Sequence, residues 1–153
     1  MTEIVEFKPR INAMTPAAIN NVRALEEISK MVDQIQIETV HAIHGGMYSR
    51  TIELPSGTIL TGAYVKVPTM VIVSGDASVY AGDDTFRFRG HHVLPASAGR
   101  KQAFVAHENT SITMVFVTDA KTVEEAENQL TDEPEILMSR QDGAVNHIII
   151  TGE

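Results

Sequence analysis

The feature that most constrains this chain is a change of period between residues 35 and 117. There, apolar and polar residues alternate in short segments rich in β-branched side chains. Nine such segments can be marked, at 35–43, 47–54, 58–66, 70–74, 77–81, 85–89, 91–94, 102–106 and 111–117. Pro55-Ser56-Gly57, Ser74-Gly75-Asp76, Ala81-Gly82-Asp83-Asp84 and Ala98-Gly99-Arg100 punctuate them and read as turns. A parallel α/β sheet would need helical sequence between strands, and none fits. Short strands at such spacing predict an all-β sandwich or small barrel.

Helical sequence flanks this block. Thr15-Pro16 supplies a hydroxyl cap followed by Pro at the first helical position, and Ile19, Val22, Leu25, Ile28 and Val32 recur at three- and four-residue steps. The expectation is a helix over 16–34 whose stripe docks on something. A second, shorter helix starts at Thr122, with Glu125 placed for a capping box and Val123, Ala126 and Leu130 on one side. It ends before Asp132-Glu133-Pro134, and Ile148, Ile149 and Ile150 suit an edge strand, within the molecule or across a dimer. At 153 residues the chain fits one domain: arm and helix over 1–34, barrel over 35–118, helix and tail over 119–153.

Composition removes several functions. With 43% apolar and 21% charged residues, the chain has the make-up of a folded globular protein. It has no Cys, hence no disulfide, thiolate nucleophile, iron–sulfur cluster or Cys-type zinc site. A formal charge of −8 has the wrong sign for gathering phosphates, so nucleic acid is not an expected partner. The N-terminus lacks a signal-peptide core, and no apolar run approaches a membrane span; a cytoplasmic location is expected, with no membrane partner. Neither a G-x-S-x-G elbow nor a phosphate loop is present.

From Gly46 the chain runs G-x-Y-x-R-x-I-x-x-P-x-G (Gly46, Tyr48, Arg50, Ile52, Pro55, Gly57), followed by the apolar Val71-Ile72-Val73 and Gly75, and later by Ala106-His107-Glu108-Asn109-Thr110. This resembles a cupin over roughly residues 40–118, with Gly90, Pro95 and Gly99-Arg100-Lys101-Gln102 in place of the second cupin motif. The similarity is to small cupin-like proteins of bacteriophage and bacterial genomes, which would put a phage-encoded copy in host cytoplasm. It implies a double-stranded β-helix, a jelly-roll barrel, with an N-terminal and a short C-terminal helix. It also implies a homodimer. The resemblance puts the customary metal-binding His and Glu positions near Ala63, Val65 and Pro68 or Thr69, and the second-motif His near Gln102. None carries an imidazole or carboxylate. No metal cofactor is therefore expected.

Strand parity places Tyr48, Arg50, Ile52 and Leu54 on one face. An Arg on the apolar side needs an internal acid, a set of carbonyls or an anionic ligand. Counting along the strands, Ala63, Val65, Gln102 and Phe104 join Tyr48, Arg50 and His92 as the expected lining of the interior and the candidate ligand-binding set. The leading expectation is a metal-free module that binds a small polar or anionic molecule or mediates assembly. The alternative is a metal-dependent isomerase, lyase or oxygenase with a divalent transition metal on a displaced site of His44, Glu53 and His92. Whether the chain is an enzyme stays open on the sequence.

Overall fold

A computed structural model describes residues 2–5, 9–82 and 84–153. Helix α1 (Pro16–Ser29) precedes strands β1 (Thr39–His44), β2 (Met47–Leu54), β3 (Ile59–Thr61), β4 (Thr69–Ala81), β5 (Asp84–Ala96), β6 (Ala103–Ala106) and β7 (Thr110–Val117). Helix α2 (Val123–Leu130), two 3-10 turns (Pro134–Ile136, Met138–Arg140) and β8 (Asn146–Ile150) complete the chain. Asp83 and the Asp84 side chain, part of one sequence-read turn, lie outside the described residues.

The pairing pattern shows an all-β jelly roll. The first half of β4 pairs with β7 over 70–74, and its second half pairs with β6 over 77–80; β5 follows β4 along its whole length. One layer therefore runs β8-β1-β2-β7-β4-β5 and the other β3-β6-β4-β5, with the two long strands crossing between them. Val71, Val73, Leu54 and Ile112 of the first layer and Val79, Phe104 and Ala106 of the second share one buried cluster. This is the double-stranded β-helix expected from the resemblance, with strands switching sheets at bends.

Two sequence expectations are corrected here. Segments 70–74 and 77–81 are one strand, as are 85–89 and 91–94, so Ser74-Gly75-Asp76 is a bend inside β4 and not a hairpin turn. Gly75 (φ 144°) sits opposite Gly90 (φ 85°) in the ladder, and the paired strands turn the corner together. The segment 58–66 shrinks to β3, after which Val65 makes only an isolated bridge to Arg100. The tail supplies an edge strand within the molecule: β8 runs parallel to β1, Thr39 opposite Asn146.

Helix α1 begins as predicted, with Thr15 accepting from the Ala18 N–H, but ends at Ser29. The Gln34 side chain donates to the Ser29 and Val32 carbonyls, satisfying the end of the helix early. Only the first half of the stripe docks: Ala18 and Val22 pack with Met14 and Ala103, whereas Ile28 and Val32 are exposed. Helix α2 is capped by Thr122, while Glu125 reaches back to the Lys121 N–H. No helix among the described residues is long and apolar enough to cross a membrane.

A buried ion cluster ties α1 to the C-terminal segment. Lys101 Nζ, fully enclosed, lies 3.0 Å from both Glu26 and Glu133. Burial alone would raise the Glu133 pKa, but the Tyr64 N–H, Arg23 and Lys101 outweigh it and hold the carboxyl at about 2. The folded protein keeps Glu133 ionised where the unfolded chain, with an ordinary value of 4.5, takes up a proton. Stability from this group is complete above that value and drains as pH falls towards 2. Urea unfolding should show a loss of less than about 3 kcal/mol across this window, the full shift being worth ~1.36 kcal/mol per pKa unit and water screening part of it. In Glu133→Gln this part of the acid loss should vanish and the deficit should already be present at neutral pH.

Candidate functional site

A partly open cavity of about 120 Å³ lies between the two layers, under the segment that follows α2. Ile52, Ile112 and Met114 form one wall, Leu60 and Phe104 the other, and Leu130, Ile136, Leu137 and Met138 close it from the C-terminal side. The wall is mainly apolar because inward-facing positions of β2, β3, β6 and β7 are aliphatic or aromatic. A cavity near 150 Å³ with such walls holds a molecule of benzene size.

Two polar side chains in the wall carry unspent hydrogen-bonding capacity. Gln102 Nε2 and Thr39 Oγ1 are buried and have no partner among the described residues. The reason for the Gln102 orphan lies behind it. Arg100 Nε donates to Gln102 Oε1 at 3.2 Å, and a guanidinium has no acceptor, so the amide must turn its oxygen to Arg100 and its NH2 away. Arg100 is itself held by the Ser97 carbonyl and the Thr69 hydroxyl, each at 2.7 Å. Leaving a buried donor unpaired costs about 1–3 kcal/mol, so such a group in a cavity wall calls for an explanation.

Arg50 also lines the cavity, but its charge is satisfied internally. Nη1 donates to Glu127 Oε2 at 2.8 Å and to the Tyr48 hydroxyl at 3.3 Å, and Nη2 donates to Ser139 Oγ at 2.9 Å. Glu127 also accepts from the Ser139 hydroxyl and from Arg140 Nε at 2.9 Å. Burial would raise the Glu127 pKa, yet hydrogen bonds from Ser139, Arg50 and Arg140 reverse this and hold it below the ordinary range. Beyond Tyr48 the chain of contacts continues to His41, with Tyr48 Oη 2.6 Å from Nδ1 and Asn146 Oδ1 2.7 Å from Nε2. Asn146 Oδ1 can only accept, so Nε2 carries the proton and Nδ1 accepts from Tyr48. Burial lowers the His41 pKa, in keeping with this neutral form.

Of the residues proposed from sequence, Arg50, Ala63, Val65, Gln102 and Phe104 lie in the cavity wall. Tyr48 is fully buried behind Arg50, against Phe116 and His41. His92 stands apart, its Nε2 at 2.7 Å from the Arg89 carbonyl oxygen and its ring against Phe88. It has inward parity, but β5 pairs only with β4, so this strand lies at the edge of both layers, away from the cavity. The sequence reading missed Glu127, although Val123, Ala126, Glu127 and Leu130 stand at i, i+3, i+4 and i+7, which places Glu127 on the docking face. Thr39 and the C-terminal lid carried no comparable signal.

The residues present do not fit the metal that the fold type implies. The cavity wall holds no His, Asp or Glu, and Glu127 is consumed by two guanidinium groups and a hydroxyl. The displaced set does not assemble either. His44, opposite Met47, bonds Thr151 Oγ1 at 2.7 Å, while Glu53 lies exposed six residues further along β2, about 20 Å away at ~3.4 Å per residue. Among the described residues no group of three or more His, Asp or Glu could hold a metal ion.

No protein-family model and no curated protein matches this sequence. Solved structures similar to the chain include a protein of unknown function from Streptococcus pyogenes, at 21% identity over 57% of this chain and 79% of that one, TM-score 0.45. A cupin superfamily protein from Desulfitobacterium hafniense is 13% identical over 60% and 88%, TM-score 0.46. An RmlC-like cupin with a double-stranded β-helix fold from Methanocaldococcus jannaschii is 12% identical over 56% and 84%, TM-score 0.46. At these values the strand pairing of this chain, and not the neighbours, carries the statement of fold, and nothing about activity passes across.

Proposed function

We propose that this chain is a cupin-like binding module that seats a small molecule between its two layers without a metal ion. The molecule has about seven heavy atoms in all, polar end included, in the range a cavity of benzene size accepts. It ends in one oxygen that accepts from Gln102. The observation that carries this reading is the buried, unpartnered Gln102 amide in a mainly apolar wall. The expected polar ligand is thereby narrowed to one with a single polar end, since Arg50 is already neutralised by Glu127.

Isovaleramide, a four-carbon apolar body ending in a carboxamide whose oxygen can accept from Gln102, is a suitable probe. Titration followed by NMR should shift resonances of Leu60, Phe104 and Met114. Gln102→Met keeps the volume and removes both donors, and should weaken binding at least about tenfold, ~1.4 kcal/mol, within the cost of an unpaired polar group. If neither isovaleramide nor isovalerate disturbs these resonances at millimolar concentration, this reading is wrong.

Self-association is a second reading, favoured by the outer face of the first layer. Val40, Met47, Met70, Val93, Val117 and Ile149 are all exposed there, on six neighbouring strands. A face of this kind suits a second copy related by a two-fold axis. Light scattering at micromolar concentration should return a dimer, and a monomer would exclude it.

A further inference from the structure

The described residues contain three almost fully enclosed cationic side chains, and two have built-in counter-charges. Arg50 meets Glu127 at 2.8 Å, and Lys101 meets Glu26 and Glu133 at 3.0 Å. Arg100, only 1% exposed, is different: its hydrogen-bond acceptors are the Gln102 amide, the Ser97 carbonyl, the Thr69 hydroxyl and, at 3.6 Å, the Met114 thioether, all neutral. No carboxylate among the described residues bridges it. Burial lowers its pKa only to about 10, so it remains protonated at neutral pH. An enclosed cation without an anion is costly, and it stands directly behind the one amide whose donors are unspent.

From this juxtaposition we infer that the missing anion is the ligand's, and that the cavity selects a short-chain monocarboxylate. The inference rests on the binding reading above and specifies its polar end. The carboxylate accepts from the Gln102 NH2, while Arg100 acts through Gln102. It fixes the amide's orientation and supplies the opposite charge one residue removed. Arg100 is thus a positioning residue. The apolar lid of Leu137 and Met138 and the limited volume argue against dicarboxylates, since the second unpartnered group in the wall, the Thr39 hydroxyl, is neutral. A neutral carbonyl of the same shape gains the hydrogen bond but not the charge interaction, which in a medium of intermediate dielectric is worth roughly tenfold or more in affinity.

Isovalerate and isovaleramide are isosteric and differ in charge and in the two N–H donors that the amide carries in place of an oxygen. At neutral pH the wild-type protein should bind isovalerate at least about tenfold more tightly, and the preference should persist at about 0.5 M salt, because an enclosed charge is little screened. Arg100→Met should abolish the preference, bringing isovalerate down to the affinity of isovaleramide, and should weaken both compounds because the Gln102 amide is no longer held in place. The wild-type comparison decides the question even if that variant does not fold. Equal affinities, or a preference lost in salt and therefore owed to an exposed cation, would overturn the carboxylate inference and leave the binding reading standing. Absence of binding by both compounds would remove both.

Discussion

Glu127→Gln should be among the most damaging single substitutions in this protein, lowering stability by about 3–5 kcal/mol, the range for removing one partner of a buried ion pair. The change is isosteric, so no cavity contributes. Glu127 accepts from Arg50, Arg140 and Ser139 and is 3% exposed. An amide there leaves the Arg50 guanidinium enclosed without an anion and turns one of its own donors towards a cation. For a domain of this size the thermal midpoint should fall by about 10 °C or more. The double replacement Arg50→Met with Glu127→Leu removes both charges and should recover a substantial part of the loss. Thermal and urea unfolding of the two variants test this together; a single variant within about 1 kcal/mol of wild type would show that the pair is not insulated from water as described.

Gly75→Ala should be comparably severe for a reason unrelated to charge. A Cβ at this position would stand 2.6 Å from Thr110 Oγ1, 2.7 Å from the Asn109 carbonyl oxygen and 2.8 Å from Thr110 Cα. The Thr110 hydroxyl cannot easily swing away, because it accepts from the Asp76 N–H at 3.1 Å and donates to the Glu108 carbonyl at 2.9 Å. Left-handed strain of ~1–3 kcal/mol adds to an overpacking cost of similar size, giving about 3–5 kcal/mol. Gly90→Ala, across the ladder, is the control. It shares the positive φ, but nothing lies within 4 Å of its Cβ. Its loss should be about 1 kcal/mol, the strain alone. Equal losses in the two would mean that the β7 backbone yields at the corner.

Much of the fold was readable in one dimension because period two and turn residues are local properties. The halves of β4 and β5 were marked almost residue by residue. Their joining was not, since Ser-Gly-Asp serves equally as a hairpin turn or as a bend in a continuous strand. Choosing between them depends on Gly90 facing Gly75 across the ladder. The interior placement of Arg50, Gln102 and Phe104 followed from strand parity. Parity also put His92 inward, and failed there because the edge position of β5 is a property of the sheet and not of the segment.

Alternation, capping and residue type thus determined by themselves that this chain makes a β structure flanked by two helices, while the cupin resemblance placed Ala63, Val65 and Gln102 at the customary metal-binding positions. Which enclosed charges are matched was decided only by tertiary structure. Glu127 reaches Arg50 across 77 positions and Glu133 reaches Lys101 across 32, whereas Arg100 finds only neutral acceptors. Charge compensation in a low-dielectric interior depends on distances of about 3 Å between side chains remote in sequence, and no local pattern encodes those distances.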